Sequence, residues 1–143
     1  PVSTVKAEKL RPVLGKLHTL KPNRLEAELL SGVPITGTDS LHRAARTLLE
    51  TGLHRVFISL GADGVYAADQ SGSVTLPAPK AEMVSTTGCG DSFMAALTWA
   101  YLQGSDLERS ARAGLAASSL TMESAETIHP SMSEAELLRR MAL

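Results

Sequence analysis

Four consecutive residues, Gly88-Cys89-Gly90-Asp91, have the types and spacing to do chemistry. Glycine lets a backbone turn sharply and admits a bulky group against it, because no Cβ stands in the way. The run Ser92-Phe93-Met94-Ala95-Ala96 that follows has helical character, and the amides that open a helix form a positive concavity suited to phosphate. An Asp on the rim of such a site can orient a hydroxyl and accept its proton as it attacks phosphorus. That chemistry is phosphoryl transfer. A carboxylate near a helix N-terminus is a weak base, but a loose transition state asks mainly for orientation and late proton acceptance. The plainer reading is a glycine turn whose Asp91 caps a helix. Spacing alone leaves both open. It does exclude a P-loop, since no Gly-Lys-Ser/Thr follows, and a dinucleotide fingerprint, whose third glycine would stand at Phe93.

Two upstream groups are candidates for the same site. Asn23 and Glu26 have the three-residue spacing of a capping box, which explains both. Beside nucleotide phosphates the same pair could organise Mg²⁺, largely through water. Ser59, Gly61 and Gly64 fall at the end of an apolar strand and in the turn after it, where ligands of open α/β sheets collect. A simple hairpin is the reading that the sequence alone prefers for them. Cys89 has no nearby His or cation to make it a nucleophile and reads as a small filler. His18, His42, His54 and His129 lack metal-ligand spacing and read as surface or structural groups.

The elements that must position these residues follow from pattern and punctuation. Residues 4–15 carry helical spacing, with Val5, Leu10, Val13 and Leu14 expected inward and Pro12 against regularity. Leu17–Leu20 reads as a strand, followed by a helix from Asn23 to Gly32. Thr38 or Asp39 is expected to cap a helix through Leu49 that Gly52 ends. Arg55–Leu60 reads as a strand buried on both faces, with hairpin strands after it at Val65–Ala68 and Val74–Leu76. A helix then runs from the glycine loop to about Gln103. Ser105 with Glu108, and Ser133 with Glu136, mark the starts of two more. Strands and helices alternate early and helices gather late. The expected class is α/β, a mostly parallel sheet flanked by helices with a hairpin in the middle.

Composition agrees with an ordinary globular chain: 143 residues, 43% hydrophobic, 20% charged, net charge −1. Nothing marks a basic face for nucleic acid or for membrane lipid. One cysteine excludes an internal disulfide framework and fits a reducing compartment. No leader or membrane-length apolar run is visible, so a cytoplasmic location is expected. The chain opens on Pro1 rather than Met, which suggests a cut through a larger protein or an ordinarily processed N-terminus.

Thr86-Thr87-Gly88-Cys89-Gly90-Asp91-Ser92-Phe93, with Lys21-Pro22-Asn23-x-x-Glu26 and Ser59-Leu60-Gly61-x-x-Gly64 in that order upstream, resembles the ribokinase-like (PfkB) carbohydrate kinase family. The resemblance implies ATP-dependent phosphorylation of a small sugar or nucleoside at a primary hydroxyl, with Mg²⁺, on a ribokinase-like fold. The run Leu17–Gly32 is most similar to members that phosphorylate pseudouridine at its 5′-hydroxyl; ribose, other nucleosides and fructose-type sugars stay open. By this resemblance Asp91 is the catalytic base and the backbone of Gly88, Cys89 and Gly90 the anion hole. Asn23, Ser59, Gly61 and Gly64 fall in the nucleotide site and Glu26 near the metal. Three departures matter. Cys89 stands where Ala or Gly is usual, which preserves a hole built from backbone. Ser85 replaces an Asp often found with a monovalent cation, so potassium dependence is open. The Asn that often contacts nucleotide near Gly114 is absent. Members run to about twice this length. Residues 1–143 are therefore expected to be the C-terminal, nucleotide-binding part of one domain, inactive by themselves, in a protein that could be a homodimer or could bind nucleotide without turnover.

Overall fold

A computed structural model describes residues 2–142. Its order is helix α1 (Val2–Ala7), a 3₁₀ segment (Glu8–Lys16), strand β1 (Thr19–Leu20), helices α2 (Arg24–Ser31) and α3 (Thr38–Leu49), and strand β2 (Arg55–Ser59). A 3₁₀ turn (Gly61–Asp63), β3 (Val65–Asp69), β4 (Gly72–Leu76) and helices α4 (Cys89–Leu102), α5 (Leu107–Met122) and α6 (Glu134–Met141) complete it. The chain forms two compact units. One is the chain up to Gly61 with Val65–Thr75; the other is Ala62–Gly64 with the chain from Leu76 onward.

In the first unit the four strands are ordered β1-β2-β3-β4. β1 runs parallel to β2, with Thr19 opposite Arg55, and β2 runs antiparallel to β3, with Phe57 opposite Ala67. The class is α/β as expected, but parallel pairing is confined to β1–β2. The expected hairpin supplies the other two strands, and the short link from β3 to β4 permits only antiparallel pairing. β2 is buried on both faces: Val56, Phe57 and Ile58 are each at most 1% exposed. Each such side chain contributes about 1.5–3 kcal/mol on burial. α3 lays Leu41, Ala44, Ala45, Leu48 and Leu49 into the same core as Val56, Ile58 and Tyr66, as its 3.6-residue spacing requires.

Three expectations about the helices are corrected. The first segment is not one helix. It tightens to 3₁₀ around Pro12, and of the four residues expected inward Leu14 is buried while Val5, Leu10 and Val13 are exposed. Pro12 has no N–H to give to an α-helical ladder, which accounts for the change. α3 is not capped by Thr38 or Asp39. Its N-cap is Gly37, and the Ser40 hydroxyl reaches back to accept from the amides of Thr36 (2.8 Å) and Gly37 (3.0 Å). α5 is capped by Asp106, which accepts from Arg109 N at 2.8 Å, rather than by Ser105.

The second unit packs α4 and α5 on small side chains, Ala96 and Ala100 against Ala113, Ala116 and Ala117, with Leu137 of α6 set into the same cluster. Small residues allow close approach, and at Gly114 the Phe93 ring lies where a Cβ would fall, 2.4 Å away. Ser133 caps α6 by accepting from Glu136 N (3.2 Å). The Glu136 carboxylate turns instead to Arg139 and Arg140, so the expected box is only half formed.

Candidate active site

The first unit gathers Asn23, Glu26 and Ser59. The capping box is complete: Asn23 Oδ1 accepts from Glu26 N at 2.9 Å, and Glu26 Oε2 accepts from Asn23 N at 3.0 Å. α2 ends at Gly32 in the left-handed region (φ 71°), as the stop signal indicated. Beyond β1 the pairing with β2 continues, since Asn23 and Ser59 form a parallel bridge and Ser59 N donates to Pro22 O at 2.9 Å. The cap of α2 thus sits beside the last residue of β2. Gly61 (φ 61°) opens the turn that follows, and a Cβ built there meets nothing within 4 Å. Its surroundings leave room for a ligand.

Gly64 belongs to the second unit and is different in kind. Its φ is 92°, and a Cβ would lie 1.9 Å from Leu76 O. A glycine is required there by the fold itself.

The second unit also holds the Gly88–Asp91 turn. Gly88, at φ 83°, is the N-cap of α4, with Thr127 O 3.0 Å from the position of a Cβ. Cys89 N closes a turn on Thr86 O (3.3 Å), and Ser92 N reaches Gly88 O (2.9 Å). The Gly90 and Asp91 amides lie between these two, in the first turn of a helix, where N–H groups have no intrahelical acceptor. Of the expected hole of Gly88, Cys89 and Gly90, the Cys89 amide is turned to Thr86 O, so the donors an anion would meet are Gly90 and, beyond the expected set, Asp91. Asp91 does not cap the helix: Gly88 holds that place, and no side-chain cap bond is made. Its side chain is exposed. Cys89 is half-buried, with its thiol near the carbonyls of Ser118 (3.6 Å) and Ser85 (3.9 Å), and burial pushes its pKa up. That state is the protonated, unreactive one, in keeping with a filler.

Sequence reasoning did not find what holds this turn. Ser118 Oγ donates to Cys89 O at 2.8 Å, and Ser92 Oγ shares a 2.6 Å hydrogen bond with Thr121 Oγ1. Met122 O accepts from the amides of Val84 (2.9 Å) and Ser85 (3.1 Å). The one hint in the sequence is that Ala111–Met122 is rich in Ala, Gly and Ser, which lets α5 approach neighbouring backbone closely. The same helix borders a cavity of about 530 Å³ in this unit, where Leu76, Pro79, Leu115 and Met141 form walls with Lys80 and Arg112.

Among the described residues, no group of three or more His, Cys, Asp and Glu could hold a metal ion alone. Mg²⁺ seldom requires one, being held by one or two carboxylates together with water and phosphate. Glu26 fits that role, because the capping box uses only one of its carboxylate oxygens.

A glycine-capped helix start with an adjacent exposed carboxylate, in an α/β chain, is an arrangement that could receive an anion. Residues 2–135 match the pfkB family of carbohydrate kinases. The pseudouridine kinase of Escherichia coli K12 is 39% identical over 96% of this chain and 44% of its own length. A crystal structure from Clostridium perfringens superposes with a TM-score of 0.93 at 38% identity, covering 99% of this chain and 45% of that one. Arabidopsis thaliana ribokinase, solved with ribose and ATP, gives 0.81 at 28% identity over 93% of this chain and 43% of its own. The chain therefore belongs to the pfkB family of carbohydrate kinases, with a ribokinase-like fold. It spans less than half the length of these relatives.

Proposed function

We propose that the intact protein transfers the γ-phosphoryl group of ATP to the 5′-hydroxyl of a nucleoside, with pseudouridine the preferred acceptor. The observation that carries the reaction class is the Gly88–Asp91 turn: open amides of Gly90 and Asp91 beside a carboxylate that caps nothing. Asp91 orients the acceptor hydroxyl and takes its proton as the hydroxyl attacks phosphorus in line. The amides take up charge on the transferred group, aimed in advance and at no cost of reorganisation. Identity to the Escherichia coli pseudouridine kinase across nearly the whole chain favours that acceptor. Ribokinase of Staphylococcus aureus, at 35% identity over 78% of the chain, keeps ribose as the second choice.

In this reading the nucleotide base occupies the cavity walled by Leu76, Pro79 and Leu115. Its volume and apolar walls suit a planar base. Leu115 lies one helical turn before Ser118, which touches the anion-binding turn. Asn23, Ser59 and Gly61 are assigned to nucleotide binding by the family resemblance, and Glu26 would hold Mg²⁺ through water; the ion supplies neutralisation of phosphate charge. Gly64 shapes the nucleotide turn. Residues 1–143 act as the C-terminal, nucleotide-binding part of one domain, in the cytoplasm, where ATP is supplied.

The test is ADP release by the intact protein with pseudouridine, ribose and fructose as acceptors. Acceptor-dependent ADP release, fastest with pseudouridine, supports the proposal. ATP binding without turnover on any of the three identifies a nucleotide-binding protein instead.

A further inference from the structure

Asp91 and the Gly90 amide can act only if the first turn of α4 points in a fixed direction. A glycine-rich turn does not hold itself. Gly88 and Gly90 lack side chains to pack, and glycine has the most backbone freedom to lose on ordering. Something outside the turn has to supply the constraint, and α5 does so at three heights.

At Ser118 the hydroxyl donates to Cys89 O (2.8 Å). One turn on, Thr121 is fully buried, and its hydroxyl pairs with that of Ser92, the residue after Asp91, at 2.6 Å. At its last residue, Met122 O anchors the incoming loop through Val84 N and Ser85 N. These bonds bracket Gly90 and Asp91, since Cys89 and Ser92 are their immediate neighbours in the chain. Resting on the phosphotransferase reading above, the geometry points to Thr121 and Ser118 as positioning residues for the anion hole and the base. Neither side chain touches the reacting atoms; each acts through the backbone or hydroxyl of the turn.

The Ser92–Thr121 pair is the sharper half of this assignment. A hydroxyl pair inside a packed helix interface has two discrete states, made or broken, and a buried polar atom is costly when left alone. Replacing Thr121 by Val removes the partner while keeping nearly the same volume. The turn then keeps its packing but loses its angular restraint. Displacement of a reacting group by about 1 Å can cost about a hundredfold in rate.

The experiment compares steady-state kinetics of the intact wild-type protein with Thr121→Val, Thr121→Ser, Ser118→Ala and Asp91→Asn. We expect kcat to fall about tenfold to a hundredfold in Thr121→Val with KM for ATP within about threefold, because bases and phosphates still bind. Thr121→Ser, which keeps the hydroxyl, should restore kcat, and Ser118→Ala should fall between. An unchanged kcat in Thr121→Val, or a loss that Thr121→Ser fails to restore, overturns the positioning role. Asp91→Asn separates the two readings: if it retains the wild-type rate, the phosphotransferase reading itself has failed. If Asp91→Asn is inactive while Thr121→Val is not impaired, only the positioning role has failed.

Discussion

Asn23 and Ser59 are bridged as though β1 and β2 continued past their ends, with Ser59 N bonded to Pro22 O at 2.9 Å. The start of α2 and the end of β2 are thereby fixed as one structural corner. Both side chains and Glu26 are half-buried there. A capping box and a ligand site are consequently not rival explanations for Asn23 and Glu26. The box fixes the side chains, and one Glu26 oxygen remains to do something else.

This division can be measured. Asn23→Ala removes the cap and should cost about 1 kcal/mol in chemical denaturation. Glu26→Gln keeps an acceptor for Asn23 N and should cost less than about 1 kcal/mol. The same Glu26→Gln protein should need more Mg²⁺ to reach half its maximal rate. A Mg²⁺ requirement identical to that of the wild type would confine Glu26 to the box.

Two glycines of the β2–β3 turn should behave oppositely. Gly64→Ala places a Cβ 1.9 Å from Leu76 O at a φ of 92°, so strain and clash together should destabilise by about 3 kcal/mol or more. Gly61→Ala meets nothing within 4 Å and carries only the left-handed penalty, about 1 kcal/mol. Thermal melts of the two variants give the comparison. Gly61→Ala should weaken ATP binding more than its small stability loss would explain.

Much of the corner, and separately the glycine turn before α4, was legible because these signals are local. Asn23 and Glu26 stand three residues apart, Gly32 sits where a helix must end, and Gly88 and Gly90 announce a turn. The errors were also local, where two neighbours could do one task. Ser105 and Asp106 both suit a cap, and the carboxylate took it. Gly37 took the cap position expected of Thr38 or Asp39, and Ser40 reached back from inside α3 to the Thr36 and Gly37 amides. The support of the Gly88–Asp91 turn was hardly legible beyond the small residues of α5. Ser118 and Cys89, or Thr121 and Ser92, are 29 residues apart, and only packing of α4 on α5 brings them together.

Acid should loosen α6 first. Glu136 accepts from Arg139 (2.6 and 2.8 Å) and from Arg140 (3.0 Å), and these guanidiniums lower its pKa from 4.5 to about 2. Arg140 also lowers Glu123, which it meets at 2.5 Å. A carboxyl that titrates lower when folded binds fewer protons than the unfolded chain does across that interval. Its stabilisation is present above pH 4.5 and is lost as pH falls towards about 2. Melting temperature against pH should fall less steeply in Glu136→Gln than in the wild type. Equal slopes would show that this cluster is not what holds α6 at low pH.

The Cys89 thiol offers an independent view of the turn. Burial raises its pKa above the ordinary 9.0, so alkylation at pH 7 should be slow and should quicken as pH rises. Bound ATP should slow it further, because the phosphates would cover the turn. Reaction at pH 7 as fast as that of an exposed free cysteine would contradict the packed position against Ser118 and Ser85.

We propose Asp91 as the base of a phosphoryl transfer. Its most direct test is the initial rate of pseudouridine-dependent ADP release by the intact protein, wild type against Asp91→Asn, with ATP binding measured on both. The expected result is a loss of about a hundredfold or more in kcat with ATP binding retained. An Asp91→Asn protein that turns over at the wild-type rate would contradict it.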